Sequence, residues 1–432
     1  MTMKMVWRAL AILMIMTSGS AFAPAQGKPV TLTFWCGSAY YNSEEAKKPQ
    51  NEWAITKIVK SFEAQNPNVT VDVTPIEVSS ETIAKFKAAA IARNGPDVIE
   101  LWTGSYLFPL KDILLPLNSY IPADDTRNIQ GWDAVTYNFQ PGGEILGYPC
   151  GNNYAGLVYN KALTRAAGMD WDKAPPKTTE EFRAALRKLK TTGVVPFGFD
   201  GSKGRILYYA TLYWWVEESG YARLVTDTNG TTRYADDKGF LNLMQFMQSL
   251  YAEGLTNVDA ATSVDYVSKF STGKYAVTVG GVNNAKAFEQ ALGPDNFGFL
   301  PFPGMSANPK VKASIIGGAG NCVSIGNYTK NRDLALKFVS FLASKPSFIE
   351  LTKSVTTFPA RSDVTLEDLG WANDPFRRKI FDLSKRFTFW IDNSIPASQF
   401  DEINRFFPSV LTGKQSPIDL AVHMDNFVKD QN

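Results

Sequence analysis

Val30-Thr31-Leu32-Thr33-Phe34 opens the stretch of sequence that decides the fold. Apolar and polar residues alternate there with the period of two that a half-buried strand imposes, and the pattern ends at Trp35-Cys36-Gly37-Ser38. Ile55, Ile58, Val59 and Phe62 then recur at helical spacing until Asn66-Pro67 stops the helix. Val69, Val71 and Val73 alternate again as a second strand. From Glu81 to Asn94, the residues Ile83, Phe86, Ala90 and Ile91 mark another amphipathic helix, closed by Gly95-Pro96 and followed by a strand from Asp97 to Trp102. Strand, helix, strand, helix, strand is the signature of an α/β fold with right-handed crossovers, and it predicts a mainly parallel sheet covered by helices on both faces. In open sheets of this kind ligands bind beyond the carboxyl ends of the strands. Trp35-Cys36-Gly37-Ser38 and Trp102-Thr103-Gly104-Ser105-Tyr106 are such ends, each a Trp followed by small polar residues.

Working outward, a second unit begins near Tyr148-Pro149. Thr178-Thr179-Glu180-Glu181 reads as a capping box for a helix carrying Phe182, Leu186 and Leu189. Val194 to Phe199 is strand-like, Ile206 to Val216 is densely aromatic, and Phe240 to Tyr251 reads as a helix. Tyr275 to Val279 is a strand ended by Gly280-Gly281, and Asn331 is expected to cap a helix carrying Leu334, Ala335, Phe338, Phe341 and Leu342. No repeat or flexible tether separates the units, so crossing strands are expected to join them.

The 432 residues include 44 Lys and Arg, 42 Asp and Glu, one His and three Cys, with 44% hydrophobic and 13% aromatic residues. This is a globular composition with room for about two or three domains. The balanced charge excludes an electrostatic nucleic-acid binder, and the normal apolar content excludes disorder. With His423 as the only histidine, two-histidine metal motifs are impossible, and a Ser-His-Asp site would have to use it. Its setting, Asp419-Leu420-Ala421-Val422-His423, suits a solvated or core-rim position on a C-terminal helix. Cys36, Cys150 and Cys322 read as small buried hydrophobes, with one disulfide as the alternative. At the N-terminus, Lys4 and Arg8, an apolar run from Ala9 to Met16 and Ala21-Phe22-Ala23 have the n-region, h-region and cleavage pattern of a signal peptide over residues 1–25. The run is too short to span a membrane. Lys4 and Arg8 account for the whole formal charge of +2, so the chain beyond the signal is formally neutral.

Gly317-Gly318-Ala319-Gly320 fails the dinucleotide pattern, because Val323 and a strand-like run follow instead of a glycine and a helix. Close approach of backbone to backbone or ligand explains these glycines better. Glu144, Asp200 and Glu217 lie near strand ends or aromatic segments, but nothing in their spacing makes a pair of carboxylates for glycoside hydrolysis. Trp and Tyr beside Gly, Ser, Asn and Asp at strand ends suit a polyhydroxylated ligand: rings cover its C–H face while amides and carboxylates take its hydroxyls.

Taken in order, several segments resemble the sugar-binding family of extracellular solute-binding proteins of ABC importers, the family that includes maltose-binding protein. They are Phe62-Glu63-Ala64-Gln65-Asn66-Pro67, Gly95-Pro96-Asp97-Val98, Gly147-Tyr148-Pro149, Tyr159-Asn160-Lys161, Pro176 to Phe182, Phe270 to Ala276, Pro301-Phe302-Pro303-Gly304 and Ala335 to Ser344 ahead of Lys345-Pro346. The resemblance runs through nearly all of the chain beyond the signal. It implies a two-lobed periplasmic binding protein fold, with residues 28–151 plus 318–355 in one lobe and 152–317 plus 356–432 in the other. Crossing hinge segments would lie near Gly151-Asn152-Asn153-Tyr154 and from Ile316 to Cys322, with the ligand cleft between the lobes. It also implies ligand contacts from Trp35, Ser38, Tyr40, Trp102, Tyr106 and Asn153, from Asp200, Arg205 and Asn283 of the second lobe, from Gly318 at the crossing, and from Phe400. Arg361 matches a recurrent family arginine with either a ligand-binding or a structural role. No catalytic residue, metal or cofactor is implied.

The implied function is capture of a sugar and delivery to the permease subunits of an ABC importer by a monomer that binds no nucleic acid. Two departures shorten the expected ligand. Gly281-Val282-Asn283 and Ala319 stand where many relatives carry Trp, so a mono- or disaccharide or a small glycoside is expected. The alternatives are a binding protein for a non-sugar, such as a glycerol phosphate ester or a polyamine, and a secreted glycoside hydrolase or other carbohydrate-active enzyme. A phosphate would want more Lys or Arg at the strand ends, and a polyamine several acids.

Overall fold

The computed structural model describes residues 28–201, 211–220, 233–311, 315–355 and 357–431. The signal segment, Arg205 and most of the aromatic run before Thr211 lie outside the described residues. Among the described residues, nine strands form one sheet: β1 (Val30–Cys36), β2 (Val69–Pro75), β3 (Val98–Trp102), β4 (Tyr148–Asn160), β5 (Val195–Phe197), β6 (Tyr275–Gly281), β7 (Phe297–Leu300), β8 (Ile315–Ile325) and β9 (Phe387–Phe389). The order along its main path is β2-β1-β3-β8-β4-β6-β5, with β7 on β4 and β9 on β8.

The expectation of a mainly parallel sheet is corrected to a mixed one. β1 is parallel to β2 and β3, β5 to β6 and β8 to β9, but β3–β8, β8–β4, β4–β6 and β4–β7 are antiparallel. The reason lies in β4 and β8. Each runs through the middle of the sheet, and each pairs with a different neighbour at either end. β4 pairs with β8 from Tyr148↔Val323 to Ala155↔Ile316, then with β6 and β7 through Ala155–Asn160. β8 goes on to pair with β3 from Asn321 to Ile325. These are the expected crossing segments. At about 3.3 Å per residue, the 13-residue β4 is long enough to belong to both halves of the sheet. A third strand of chain passes the same point: Asn152 and Phe358 exchange backbone hydrogen bonds of 2.6 and 2.8 Å.

On one side of this crossing, Phe34, Phe62 and Phe338 meet edge to face at 5.0–5.6 Å in a core that joins β1 to the helices Ala54–Ala64, Arg332–Leu342 and Lys345–Val355. On the other, Leu157, Phe182, Trp214, Phe240, Ile316 and Ile403 belong to a larger core built on the helices Thr179–Lys190, Leu212–Ser219, Lys238–Ala252 and Ala397–Leu411. Ala360, Val364 and Leu369 pack in the first core.

Local expectations differ in three details. Ile91 is exposed, so only Phe86 and Ala90 anchor the helix Ser80–Ile91 deeply. Thr178 Oγ1 accepts from the Glu181 amide at 3.1 Å, but Glu181 reaches back to the Lys177 amide rather than to Thr178. Asn331 begins its helix through its backbone carbonyl and makes no side-chain cap.

Candidate functional site

A cavity of about 1090 Å³ opens beyond the carboxyl ends of β1, β2 and β3. Ser38, Ala39, Tyr41 and Asn42 enter it from the turn after β1, Pro75 to Val78 and Ser80 from the end of β2 and the connection beyond, and Trp102 and Tyr106 from the end of β3. Gly151, Asn153, Gly320 and Asn321 come from the crossing strands. The opposite wall is Trp390, Asp392 and Asn393 after β9, with Phe400, Asp401 and Asn404 from the helix Ala397–Leu411.

Each wall has a visible support. Glu100 lies in the middle of β3 with no exposed surface, and its carboxylate accepts from the Gly37 amide at 2.7 Å, the Ala39 amide at 3.0 Å and Asn321 Nδ2 at 2.6 Å. One buried acid thus fixes the turn that presents Ser38 and orients the Asn321 side chain. Burial pushes its carboxyl up to about 7, while the three donors pull the other way. The two walls are tied to each other by Asn393. Its carbonyl accepts from the Ser105 amide at 2.7 Å, and its Nδ2 donates to Thr103 Oγ1 and the Gly320 carbonyl at 3.1 Å each. Gly104, with φ of +61°, sits under this contact, where a Cβ would fall 1.9 Å from the Asn393 carbonyl oxygen. The Trp390 indole donates to the Gly318 carbonyl at 3.2 Å, and a Cβ on Gly317 would meet the Tyr154 ring at 2.3 Å and the Asn153 carbonyl at 2.5 Å. Close approach of backbone is therefore what Gly317 serves, while Gly318 and Gly320 lie against the Phe387 and Trp390 rings.

Ser38, Trp102, Tyr106, Asn153 and Phe400 are brought together as expected, with the Trp102 and Tyr106 rings 4.8 Å apart and edge to face. Six expected contacts lie elsewhere. Tyr40 is 2% exposed and packs edge to face on Phe34 at 5.5 Å; its neighbour Tyr41 takes the place on the cavity wall. Trp35 packs against the core of Phe86, Ile99 and Leu101 on the opposite face of β1. Asp200 accepts from the Tyr266 amide at 2.8 Å, and Asn283 is exposed at the start of the helix Val282–Leu292; neither lines the cavity. Gly318, with φ of +104°, is buried against Phe387 and Phe389 and serves the crossing rather than the wall. Arg361 is 5% exposed and is held by Asp124, Asp125 and Asp363, so its role is structural. Arg205 lies outside the described residues. His423 is bonded to Glu402 at 2.5 Å and lies against the Phe406 ring at 4.3 Å, tilted by 52°, at the rim of the second core. Cys36, Cys150 and Cys322 are buried and free, and burial pushes their thiols up, which makes them inert.

The residues from Trp390 to Asn404 were not anticipated, Phe400 apart. Their signal is present in Phe389-Trp390-Ile391-Asp392-Asn393, an aromatic at a strand end followed by polar residues, the pattern already seen at Trp35 and Trp102.

A mixed sheet crossed by two long shared strands, with a ligand-sized cavity where they meet, defines a binding protein of the two-lobed periplasmic type. The chain belongs to the family of bacterial extracellular solute-binding proteins, whose pattern it matches over residues 57–378. It is 23% identical over 330 residues to the multiple sugar-binding protein of Streptococcus mutans, covering 71% of this chain and 70% of that one. It is 26% identical over 228 residues to the sn-glycerol-3-phosphate-binding periplasmic protein of Brucella suis, covering 50% and 45%. Among solved structures, a chitin oligosaccharide binding protein superposes with a TM-score of 0.78 at 20% identity, over 94% of this chain and 99% of that one. The sugar-binding protein MalE of Xanthomonas citri superposes with 0.73 at 22% identity, over 93% and 97%. Among the described residues, no helix is long and apolar enough to cross a membrane.

Proposed function

We propose that this protein captures a small saccharide, a mono- or disaccharide or a small glycoside, and presents it to the permease of an ABC importer without chemical change. The observation that carries the reading is the lining of the cavity: Tyr41, Trp102, Tyr106, Trp390 and Phe400 supply flat apolar faces, and Ser38, Asn153 and Asn321 stand among them as polar groups for hydroxyls. Residues 1–25 direct export, and the protein acts as a monomer in the periplasm or outside the cell. The lobes are residues 28–151 with 318–355 and residues 152–317 with 356–432, of which Ala360 to Leu369 pack back against the first core. The ligand draws them together because contacts to both walls exist at once only in the closed form.

Likeness to glycerol 3-phosphate binding proteins favours a second reading, a phosphate ester. The charge of the site weighs against it: no Lys or Arg stands among the described lining residues to take a phosphate. Calorimetric titration of the mature protein with saccharides, polyols and phosphate esters separates the two. Saturable binding of a saccharide, with the sugar recovered unaltered, supports capture; binding of glycerol 3-phosphate alone, or turnover of a glycoside, refutes it.

A further inference from the structure

The walls of the cavity carry acid and no described base. Glu77, Asp392 and Asp401 line it. No ion pair among the described residues engages Asp392 or Asp401. The Asp392 carboxyl takes only the backbone amides of Asp392 and Asn393, and its Oδ1 is buried without a hydrogen-bond partner. Desolvation raises both carboxyls, Asp392 to about 7. The Tyr106 hydroxyl lies within the field of both, and after burial their charges are what hold its proton on. Asp392 and Asp401 line the same cavity as Trp102 and Tyr106, whose rings meet at 4.8 Å, so two acidic side chains share that cavity with a pair of aromatic faces.

A neutral hydroxyl can donate to Asp392 but brings no charge, so as closure removes water the carboxyls would have to take up a proton or bear a charge that becomes dearer as the local dielectric falls. An ammonium group answers each of these features. It has three donors and no acceptor, it neutralises a carboxylate, and its field is favourable over the faces of Trp and Tyr. A simple polyamine would bring no hydroxyls to the Ser38, Asn153 and Asn321 side chains that line the cavity. We propose that the ligand is an amino sugar or aminated glycoside whose protonated amine lies between Asp392, Asp401 and the Trp102–Tyr106 pair. This rests on the saccharide reading of the cavity and deepens it.

The test is calorimetry on the mature protein at pH 7.5 with matched sets of glucosamine, galactosamine and glucosamine disaccharide, each beside its N-acetylated and its plain hydroxyl counterpart. Spermidine and glycerol 3-phosphate complete the panel. The expected result is an amine-bearing sugar bound at least tenfold tighter than both of its neutral counterparts. Asp392→Asn should weaken that amine at least tenfold while changing a neutral counterpart less than threefold, and Asp401→Asn should act in the same direction. Circular dichroism of each variant reports folding, and Asp401, the more exposed, keeps the test open if Asp392→Asn does not fold. A neutral saccharide bound as tightly as its amine overturns the inference and leaves the saccharide reading standing. Spermidine or glycerol 3-phosphate bound with no saccharide bound overturns both.

Discussion

Replacing Arg361 by Met separates a ligand arginine from a structural one. The guanidinium is 5% exposed and uses all of its nitrogens. Nη1 donates to Asp125 Oδ1 at 3.1 Å, Nε and Nη2 grip both oxygens of Asp363 at 2.8 and 3.0 Å, and Nη2 reaches Asp124 at 3.0 Å. The three partners do not weigh equally. Asp124 is 61% exposed, and an exposed pair contributes about 0–1 kcal/mol. Asp125 is 8% exposed; without the arginine its charge keeps only Tyr148 and Ser340 hydroxyls, at 3.3 and 3.2 Å. Removing one member of a buried pair costs about 3–5 kcal/mol, most of it the orphaned charge. Met retains much of the stem's packing, so the expected loss is about 3–5 kcal/mol in urea unfolding of the ligand-free protein, read as a lower midpoint at unchanged slope. Arg361→Lys should fall between, because an ammonium cannot hold Asp363 at two oxygens and reach Asp125 as well. Ligand affinity, measured where both proteins are folded, should change less than threefold. A loss below about 1 kcal/mol, where one exposed pair would lie, or a tenfold loss of affinity at unchanged stability, refutes the structural assignment.

Three further outcomes are expected. Trp102→Ala should weaken ligand binding by about 2 kcal/mol, roughly thirtyfold, as truncation of a central aromatic anchor does; unchanged affinity by calorimetry removes Trp102 from the site. Gly104→Ala places a methyl 1.9 Å from the Asn393 carbonyl oxygen at a φ of +61°, so it should break the Ser105–Asn393 hydrogen bond and reduce affinity, whereas Gly168→Ala, with the same kind of φ but open space around it, should cost stability alone. Glu100 governs a pH dependence: burial raises its carboxyl from 4.5 to about 7, so the native state binds the extra proton between those values. Its contribution to stability is whole below about pH 4.5 and declines by about 3 kcal/mol as the pH passes 7. Urea midpoints across pH 4.5 to 8 should therefore fall more steeply for the wild type than for Glu100→Gln, and parallel profiles would exclude Glu100 as the source.

The first wall of the site was legible because sequence order and spatial order coincide there. Each of β1 and β3 ends in Trp plus small polar residues, and the strand-end rule turns that local pattern directly into a position in the sheet. Resolution was one residue at best, since in the turn after β1 a one-residue step carries Tyr40 into the core against Phe34 and Tyr41 onto the cavity. The mixed sheet was not legible. β4 and β8 pair antiparallel with each other across more than 150 residues of chain, as in Asn153↔Gly318, and no local pattern records a pairing of that kind.

The opposite wall was hidden for a related reason. Asp200 and Asn283 sit at strand and helix ends of the second half, where the strand-end rule applied lobe by lobe would look, yet that half meets the cavity through Trp390, Asp392 and Asn393. β9 supplies them because it pairs with β8 on the crossing strand itself, Ile315↔Phe387 to Gly317↔Phe389, which delivers the next residues of the chain straight to the cleft. A three-residue strand carries too little periodicity to announce itself. Its placement has a functional consequence. Asn393 joins the β3 turn to the crossing strand, while Phe400, Asp401 and Asn404 follow on a helix packed into the second core, so a ligand that engages both sets of groups acts across the joint between the two halves. On the proposed capture mechanism, Trp390 to Asn404 would be the segment that converts occupancy of the cavity into movement of the lobes, and substitutions there are expected to alter ligand-dependent compaction, read by small-angle scattering, more than substitutions at Asp200 or Asn283.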